Sequence, residues 1–359
     1  MINRRLDCLL ESSAVSPLCT FVEGNLDKFI TGISYHSAHV KKGHLFAALR
    51  GYTTDGHLYI SDAIRHGAVA ILAEENFPSV PGVTKVITHN SREALSAISA
   101  QYYGNPTAQL QTIGITGTNG KTTVLYLVKD LLESNGEKVG LIGTTGVYIG
   151  NKKMSKSPNT TPESTDIHRM AYEMLEVGCS YMVMEVTSHA LDQKRVEHCT
   201  FAVAIFTNLT YEHLDWHRSM EGYFKSKTHL FELLPSRSAA VVNIDDPYGC
   251  LLADSLRNKI RLYTYGLEPS ADITASELEY DSLGNAHFLL RVADKRSRVS
   301  TKLFGNYNIS NALAAIGCGI ALGVPFEHIV ATISVSSGAP GRFQRIEAVS
   351  YTHLTLPTN

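Results

Sequence analysis

No stretch of this chain carries the run of about 18 apolar residues that a membrane-spanning helix needs. No block is basic enough to neutralise a nucleic-acid backbone. Net charge is −2 over 359 residues, a balance that does not call for a strongly cationic substrate. The six cysteines, Cys8, Cys19, Cys179, Cys199, Cys250 and Cys318, form no C-x-x-C pair and no zinc-like spacing, which predicts reduced, mostly buried thiols. The start has Arg4 and Arg5 but no apolar run of the length a secretory signal requires. A cytoplasmic, monomeric protein with no nucleic-acid partner and no membrane insertion is the expectation.

What is present is chain enough for two domains. The 359 residues exceed one ordinary domain, and 44% hydrophobic with 18% charged residues suit a globular protein with a sizeable core. The segment Gly114-Ile115-Thr116-Gly117-Thr118-Asn119-Gly120-Lys121-Thr122-Thr123 organises the rest. A β-branched strand, 111–116, precedes it. A helix follows, with Leu125, Val128, Leu131 and Leu132 at helical spacing and Gly136 where a C-terminal cap belongs. Strand, glycine loop, Gly-Lys-Thr and helix is a layout that binds nucleotide phosphates: backbone amides face the anion, Lys121 adds charge, and the Thr122 hydroxyl reaches Mg2+. Ile115 stands where the common pattern G-x-x-x-x-G-K-[ST] has its first glycine and Thr116 follows it, with Gly114 and Gly117 flanking the pair. The alternative is a glycine-rich turn that happens to precede a lysine.

Short strands and helices alternate through residues 1–105, with strands at 43–49 and 68–72 and a short helix at 59–66, predicting a small N-terminal α/β domain. Gly104-Asn105-Pro106-Thr107 reads as a linker. From 106 to 338 the apolar runs 138–142, 181–186, 201–206 and 239–244 predict a central domain with a mostly parallel sheet. Polar clusters at 116–122, 144–145, 185–189 and 207–208 follow its strands, where ligands collect. Residues 339–359 read as a hinge and a tail.

Glu185 ends an apolar strand, where a carboxylate is costly to bury alone, so it is a metal-ligand candidate facing the phosphates; a solvated strand-end Glu is the alternative. His213, in the polar loop after the next strand, is a candidate imidazole ligand. Lys227 reads as a solvated helix lysine that nothing separates from Lys225. The run Asn159-Thr160-Thr161-Pro162 is a loop with a helix starting at Pro162, equally an N-cap or a ligand clamp. Asn308 and Asn311 pass as helix-capping residues, and Arg342 as a hinge charge.

Taken in order, Gly117–Thr123, Asn159–Pro162, Met184–Leu191, Thr207–Leu209, His213-Leu214-Asp215, Gly305–Ala312 and Gly341-Arg342-Phe343 resemble the Mur ligase family, over roughly residues 30 to 347. Within it they are most similar to the members that add a diamino acid to UDP-MurNAc-L-Ala-D-Glu. The resemblance implies an ATP-dependent amide ligase of peptidoglycan synthesis: ATP phosphorylates a free carboxylate, and an amine attacks the acyl phosphate. It implies Lys121, Lys227 and His213 as catalytic positions, and Thr122, Glu185, His213 and Lys227 around Mg2+, with Lys227 carbamylated. It implies ATP contacts from Gly117, Thr118, Asn119, Gly120, Lys121, Thr122, Thr123, Asn308, Asn311 and Arg342. Ser37, Asn159, Thr160, Thr161, Ser188, Gln193 and Arg195 are implied for the UDP-linked substrate.

Three departures stand out. His36-Ser37-Ala38 replaces a family Asp-Ser-Arg, and Tyr211-Glu212 replaces a commoner Arg-Asp. The family's third domain, which selects diaminopimelate or lysine, does not follow Arg342. The expectation is therefore a fragment that binds the UDP substrate, holds ATP weakly and lacks ligase activity. Folylpolyglutamate synthetase, which shares the central domain, and a silent nucleotide-sugar binding protein are the competing readings.

Overall fold

A computed structural model describes residues 2, 4–51, 54–155, 159–212, 214–282 and 284–341. The N-terminal strands are β1 (Arg4–Arg5), β2 (Cys19–Glu23), β3 (Phe29–Ile30), β4 (Gly32–Ser34), β5 (His44–Ala47), β6 (Ala70–Ala73) and β7 (Thr84–Thr88). β4 to β7 run parallel in sequence order, β2 closes one edge antiparallel to β7, and β1 pairs with β3 in a separate ribbon. Alternation along β5 covers both faces: Leu45 and Ala47 pack with Leu95 and Ile98 of helix Ser91–Tyr102, Phe46 with Ile60 and Ala63 of helix Ile60–Arg65. Each buried Leu, Ile or Phe among them contributes about 1.5–3 kcal/mol.

Asn105, in the left-handed region at φ 53°, and the helical turn Pro106–Gln109 lead into an eleven-stranded sheet. Its strands are β8 (Gln111–Thr116), β9 (Val139–Gly143), β10 (Gly146–Ile149), β11 (Lys152–Ser155), β12 (Tyr181–Glu185), β13 (Val203–Phe206), β14 (Ala239–Asn243), β15 (Arg261–Gly266), β16 (Ile273–Tyr280), β17 (Ala286–Val292) and β18 (Lys295–Thr301). The order is β11-β10-β9-β12-β8-β13-β14-β15-β16-β17-β18. From β9 through β16 the pairing is parallel, as the apolar runs predict. Antiparallel hairpins edge the sheet at both ends, an addition to the expected layout. They lack the continuous apolar runs of the inner strands: along β17 only Ala286, Phe288 and Leu290 are buried, in alternation.

β8 lies between β12 and β13, so its C-terminal end is where connections to the two halves of the sheet part, a place where ligands bind in such folds. Helices Lys121–Ser134, Asn306–Ala321 and Phe326–Val335 cover one face, packing on Ile113, Ile115, Val203 and Ile205. Helices Ser164–Glu176, Met220–Glu232 and Pro247–Leu256 cover the other, on Phe201, Ala204, Phe206 and Val242. The helix placed at Pro162 begins at Ser164 instead. Glu163 stays extended and accepts the Ser164 amide, which sets the cap one residue past the proline. The cysteine expectation holds in part: among the described residues all six are free, but Cys8 and Cys250 are exposed and Cys19 half-buried. Among the described residues no helix is long and apolar enough to cross a membrane.

The two sheets meet through helices Ser91–Tyr102 and Ser164–Glu176. His168, on the latter, is wholly buried, and neither ring nitrogen has a hydrogen-bond partner among the described residues. Burial, with a smaller push from His198, holds its pKa down at about 3, against an ordinary 6.5. Above pH 6.5 both folded and unfolded forms are neutral, and the stability is fully present. As pH falls, the unfolded chain takes a proton that the folded chain refuses, so stability declines by at most about 1.4 kcal/mol per pH unit. His198, also depressed by burial, acts in the same sense. Urea unfolding of H168L between about pH 7 and about pH 5 is expected to show a shallower loss than the wild type, by up to about 2 kcal/mol.

Candidate functional site

The loop 117–120 hangs between β8 and the helix Lys121–Ser134 and is moored to the end of β13. The Thr118 amide donates to the Asn208 carbonyl at 2.8 Å, the Asn119 amide to Asn208 Oδ1 at 2.9 Å, and the Thr207 hydroxyl to the Asn119 carbonyl at 2.6 Å. Asn243, at the end of β14, holds the Thr207 carbonyl at 2.8 Å. Two glycines are required. Gly117 has φ 138°, and a Cβ there would run into the Thr207 hydroxyl; Gly120 has φ 90°, and a Cβ there would run into Asn311 Oδ1. Gly120 caps the helix with no side-chain acceptor, so the first-turn amides are left facing the cleft.

Two lysines converge on the loop. Lys121 Nζ donates to the carbonyls of Gly117 at 2.9 Å and Thr118 at 2.8 Å. Lys227 Nζ reaches the same Gly117 carbonyl at 2.8 Å and lies 4.5 Å from the centre of the Tyr223 ring. The solvated-lysine reading of Lys227 is therefore corrected: it is 2% exposed, while Lys225 faces solvent. Burial, then repulsion from Lys121, holds its pKa well below the ordinary lysine value, with Glu212 opposing. Tyr223, one turn earlier, also contacts the Thr118 hydroxyl at 3.3 Å, so one ring braces both loop and lysine.

Glu185 is 1% exposed, which removes the solvated strand-end alternative. Its carboxylate accepts from the Thr122 hydroxyl at 3.0 Å, the Thr144 amide at 3.0 Å and the Thr144 hydroxyl at 3.1 Å. Leaving such a group without donors would cost about 1–3 kcal/mol or more. Thr122 and Glu185 thus present adjacent hard oxygens beside uncapped amides, a donor set suited to Mg2+ carrying nucleotide phosphates. His213 and Arg342 lie outside the described residues. Among the described residues no group of three or more His, Cys, Asp or Glu is arranged for a metal.

Asn308 and Asn311 are not caps. They lie inside helix Asn306–Ala321, whose cap is Gly305, and are buried. Asn311 Nδ2 donates to Asn308 Oδ1 at 3.1 Å, and both line the same cleft of about 670 Å³ as Lys121, Thr122 and Glu185.

The residues expected at the UDP-linked substrate fall in three places. Thr160, Thr161, Gln193 and Arg195 come together: Thr160 and Thr144 hydroxyls meet at 3.2 Å, and the Thr161 hydroxyl donates to the Glu185 carbonyl at 2.9 Å. Arg195 donates to the Thr161 carbonyl at 2.7 Å and Gln193 Oε1 at 2.6 Å. Asn159 is exposed at the head of that loop. Ser188 is 1% exposed, with its hydroxyl 2.9 Å from His217 Nε2, so it faces inward. Ser37 begins a turn flanked by His36 and His39, which line a second cavity of about 430 Å³ with Asp166 and Arg169 of the central domain. The sequence marks Thr144 only as part of the polar cluster 144–145 and singles out neither Tyr223 nor His217. Tyr223 was discoverable, since it precedes Lys227 by four residues on a helix.

Fold and site define an α/β protein with an anion cradle, suited to a nucleotide's phosphates, at the C-terminal end of a central strand. The Mur ligase middle domain matches residues 115–319, more than half of the chain, and the Mur ligase family catalytic domain matches residues 29–103. The chain belongs to the Mur ligase family. It is 40% identical over 326 residues to a UDP-N-acetylmuramoyl-L-alanyl-D-glutamate–2,6-diaminopimelate ligase of Caldanaerobacter subterraneus subsp. tengcongensis, covering 91% of this chain and 66% of that one. A ligase of the same name from Geobacter metallireducens is 41% identical over 330 residues, covering 90% and 64%. A solved structure of a ligase so named superposes with a TM-score of 0.81 at 28% identity, over 91% of this chain and 67% of that one. The chain spans just under two thirds of the length of the curated relatives.

Gly120→Ala is expected to destabilise the chain by about 1–3 kcal/mol through its left-handed backbone and the collision with Asn311. Asn311→Ala should cost less in the G120A background than alone, since it removes the obstruction, and chemical denaturation of the two singles and the double measures this.

Proposed function

We propose that the chain supplies the substrate- and ATP-binding parts of an ATP-dependent amide ligase that adds a diamino acid, meso-diaminopimelate by likeness to its relatives, to UDP-MurNAc-L-Ala-D-Glu. Residues up to about 105 form the unit for the UDP end, and residues 106–338 the unit for ATP. The observation that carries this is the single cleft where Lys121, the uncapped helix start and the Thr122–Glu185 pair face one another. A cytoplasmic place, where ATP is made and thiols stay reduced, suits the free cysteines.

Phosphoryl transfer needs positioning and charge stabilisation more than covalent help. The amides at 121–123 and the Lys121 ammonium would cradle the phosphates, and Asn308 and Asn311 would flank the nucleotide. Thr122 and Glu185, with His213, would hold Mg2+, which supplies positive charge where the transferred group becomes most negative. Thr160, Thr161, Gln193 and Arg195 would hold the dipeptide so that its free carboxylate oxygen meets the terminal phosphorus. That oxygen takes the phosphoryl group as ADP leaves. The amine of the incoming amino acid then attacks the acyl carbon, phosphate departs, and the amide remains.

Lys227 suits a carbamate. Its buried amine is held toward the neutral form, the form that adds CO2, and the product would set a negative charge beside Lys121. A carbamate signal in 13C NMR with labelled bicarbonate, lost in K227A, is expected.

Calorimetry on this chain tests the reading. Lys121→Ala should weaken Mg-ATP binding by about tenfold or more, the loss of a charge-assisted contact, while UDP-MurNAc-L-Ala-D-Glu binding persists. Glu185→Gln should remove most of the difference between ATP affinity with Mg2+ and with chelator. Unchanged Mg-ATP binding in K121A would refute the assignment.

A further inference from the structure

One charged network away from the phosphate loop crosses the seam between the two units. Arg92 stands in the N-terminal helix Ser91–Tyr102, and Glu163 caps the central helix Ser164–Glu176. Arg92 Nη1 meets Glu163 Oε2 at 2.9 Å, and its Nη2 donates to the Arg50 carbonyl at 3.1 Å. The same Glu163 oxygen lies 3.6 Å from Arg195 Nε, a nitrogen that makes no hydrogen bond. Both other nitrogens of Arg195 are engaged, one by the Thr161 carbonyl and one by Gln193 Oε1. Glu163 is buried and Arg195 nearly so, with side chains 8% and 14% exposed.

We infer that Glu163 and Arg92 are positioning residues for the peptide end of an acidic, UDP-linked ligand. Glu163 orients the Arg195 guanidinium beside Thr161 and Gln193, and Arg92 reaches from the other domain to fix Glu163. This rests on the functional reading above and assigns residues which that reading leaves out. Two half-buried guanidinium groups with one carboxylate between them carry one surplus positive charge. Take away the carboxylate and Arg195 becomes a poorly solvated cation facing another, which favours swinging out to water. Take away Arg92 and Glu163 keeps the Ser164 amide on one oxygen, while the oxygen that faces Arg195 has only that long contact. In either case Arg195 loses the orientation in which its two terminal nitrogens donate to the Thr161 carbonyl and Gln193 Oε1. The uridine end would be held by the N-terminal domain and the dipeptide by the central one, so an ion pair across the seam lets the position of one domain set the grip on the other's ligand.

The test is calorimetry of this chain with UDP-MurNAc-L-Ala-D-Glu and, separately, with UDP. Glu163→Gln keeps an acceptor for the Ser164 amide and so preserves the cap. Both E163Q and Arg92→Gln are expected to weaken the dipeptide ligand by about 10- to 100-fold, the worth of one charged hydrogen bond, with UDP affinity within about twofold of wild type. Arg92→Lys keeps a charge on Glu163 and gives up only the Arg50 carbonyl, so it should recover most of the loss. R92Q should add little in the E163Q background. Equal losses for the two ligands, or dipeptide-ligand affinity unchanged in both variants, would overturn the inference. A wild-type chain that binds UDP and not the dipeptide ligand, or neither, overturns the functional reading and this inference with it.

Discussion

Two lysine amines share one backbone carbonyl, that of Gly117, and much of the site follows from that crowding. Burial first, and then repulsion from the Lys121 charge, push Lys227 toward its neutral amine. The carbonyl can face both only because Gly117 has φ 138° and no side chain to meet Thr207. The same backbone turn leaves the amides after Gly120 uncapped, toward the cleft. The cleft thus gathers two lysine amines and an uncapped helix start beside Glu185 and Glu212, an arrangement into which a phosphate carried with a divalent ion fits.

Two buried carboxylates, Glu185 in the cleft and Glu163 beside it, are treated in opposite ways. Among the described residues, Glu185 is hydrogen-bonded to neutral donors, two hydroxyls and one amide, and forms no ion pair. Its negative charge stays available to a divalent ion. Glu163, 22 residues earlier in the chain, is flanked by two arginines, so its charge is spent within the protein. A carboxylate kept in neutral company suits a metal, and one locked between guanidinium groups suits the alignment of a cation. Residue type and burial are alike at the two positions, and the partners decide the role.

Much of this could be read from the chain alone. The inner strands carry near-continuous apolar runs because both their faces are covered, so β9, β12, β13 and β14 announce themselves. Gly136, at φ 86° just beyond helix Lys121–Ser134, marks that helix's end as it should. The edge hairpins alternate over short spans and stayed hidden. Lys227 is the instructive omission. Tyr223, Leu230 and Phe231 are buried on its side of the helix, so the spacing places this lysine in the apolar stripe and Lys225 outside it. Arg92 and Glu163 lie 71 residues apart, and nothing in a single chain's pattern pairs them.

The seam explains why so much rests on directed contacts. The apolar clusters of the N-terminal unit and of the central unit are separate, each closed by its own helices. Directed polar contacts cross between the units beside the packed helices: Tyr35 donates to Asp166 at 2.7 Å, the His198 amide to Ser96 at 3.2 Å, and Arg92 pairs with Glu163. Buried His168, without a partner for either nitrogen, tilts the balance further from apolar adhesion. An oily interface of this size would tolerate sliding, because dispersion and the hydrophobic effect have no direction. Hydrogen bonds and ion pairs weaken steeply with angle and distance, so this seam favours one arrangement while costing little to part. That combination suits a ligand long enough to touch both units, which must enter between them and then be held at both ends.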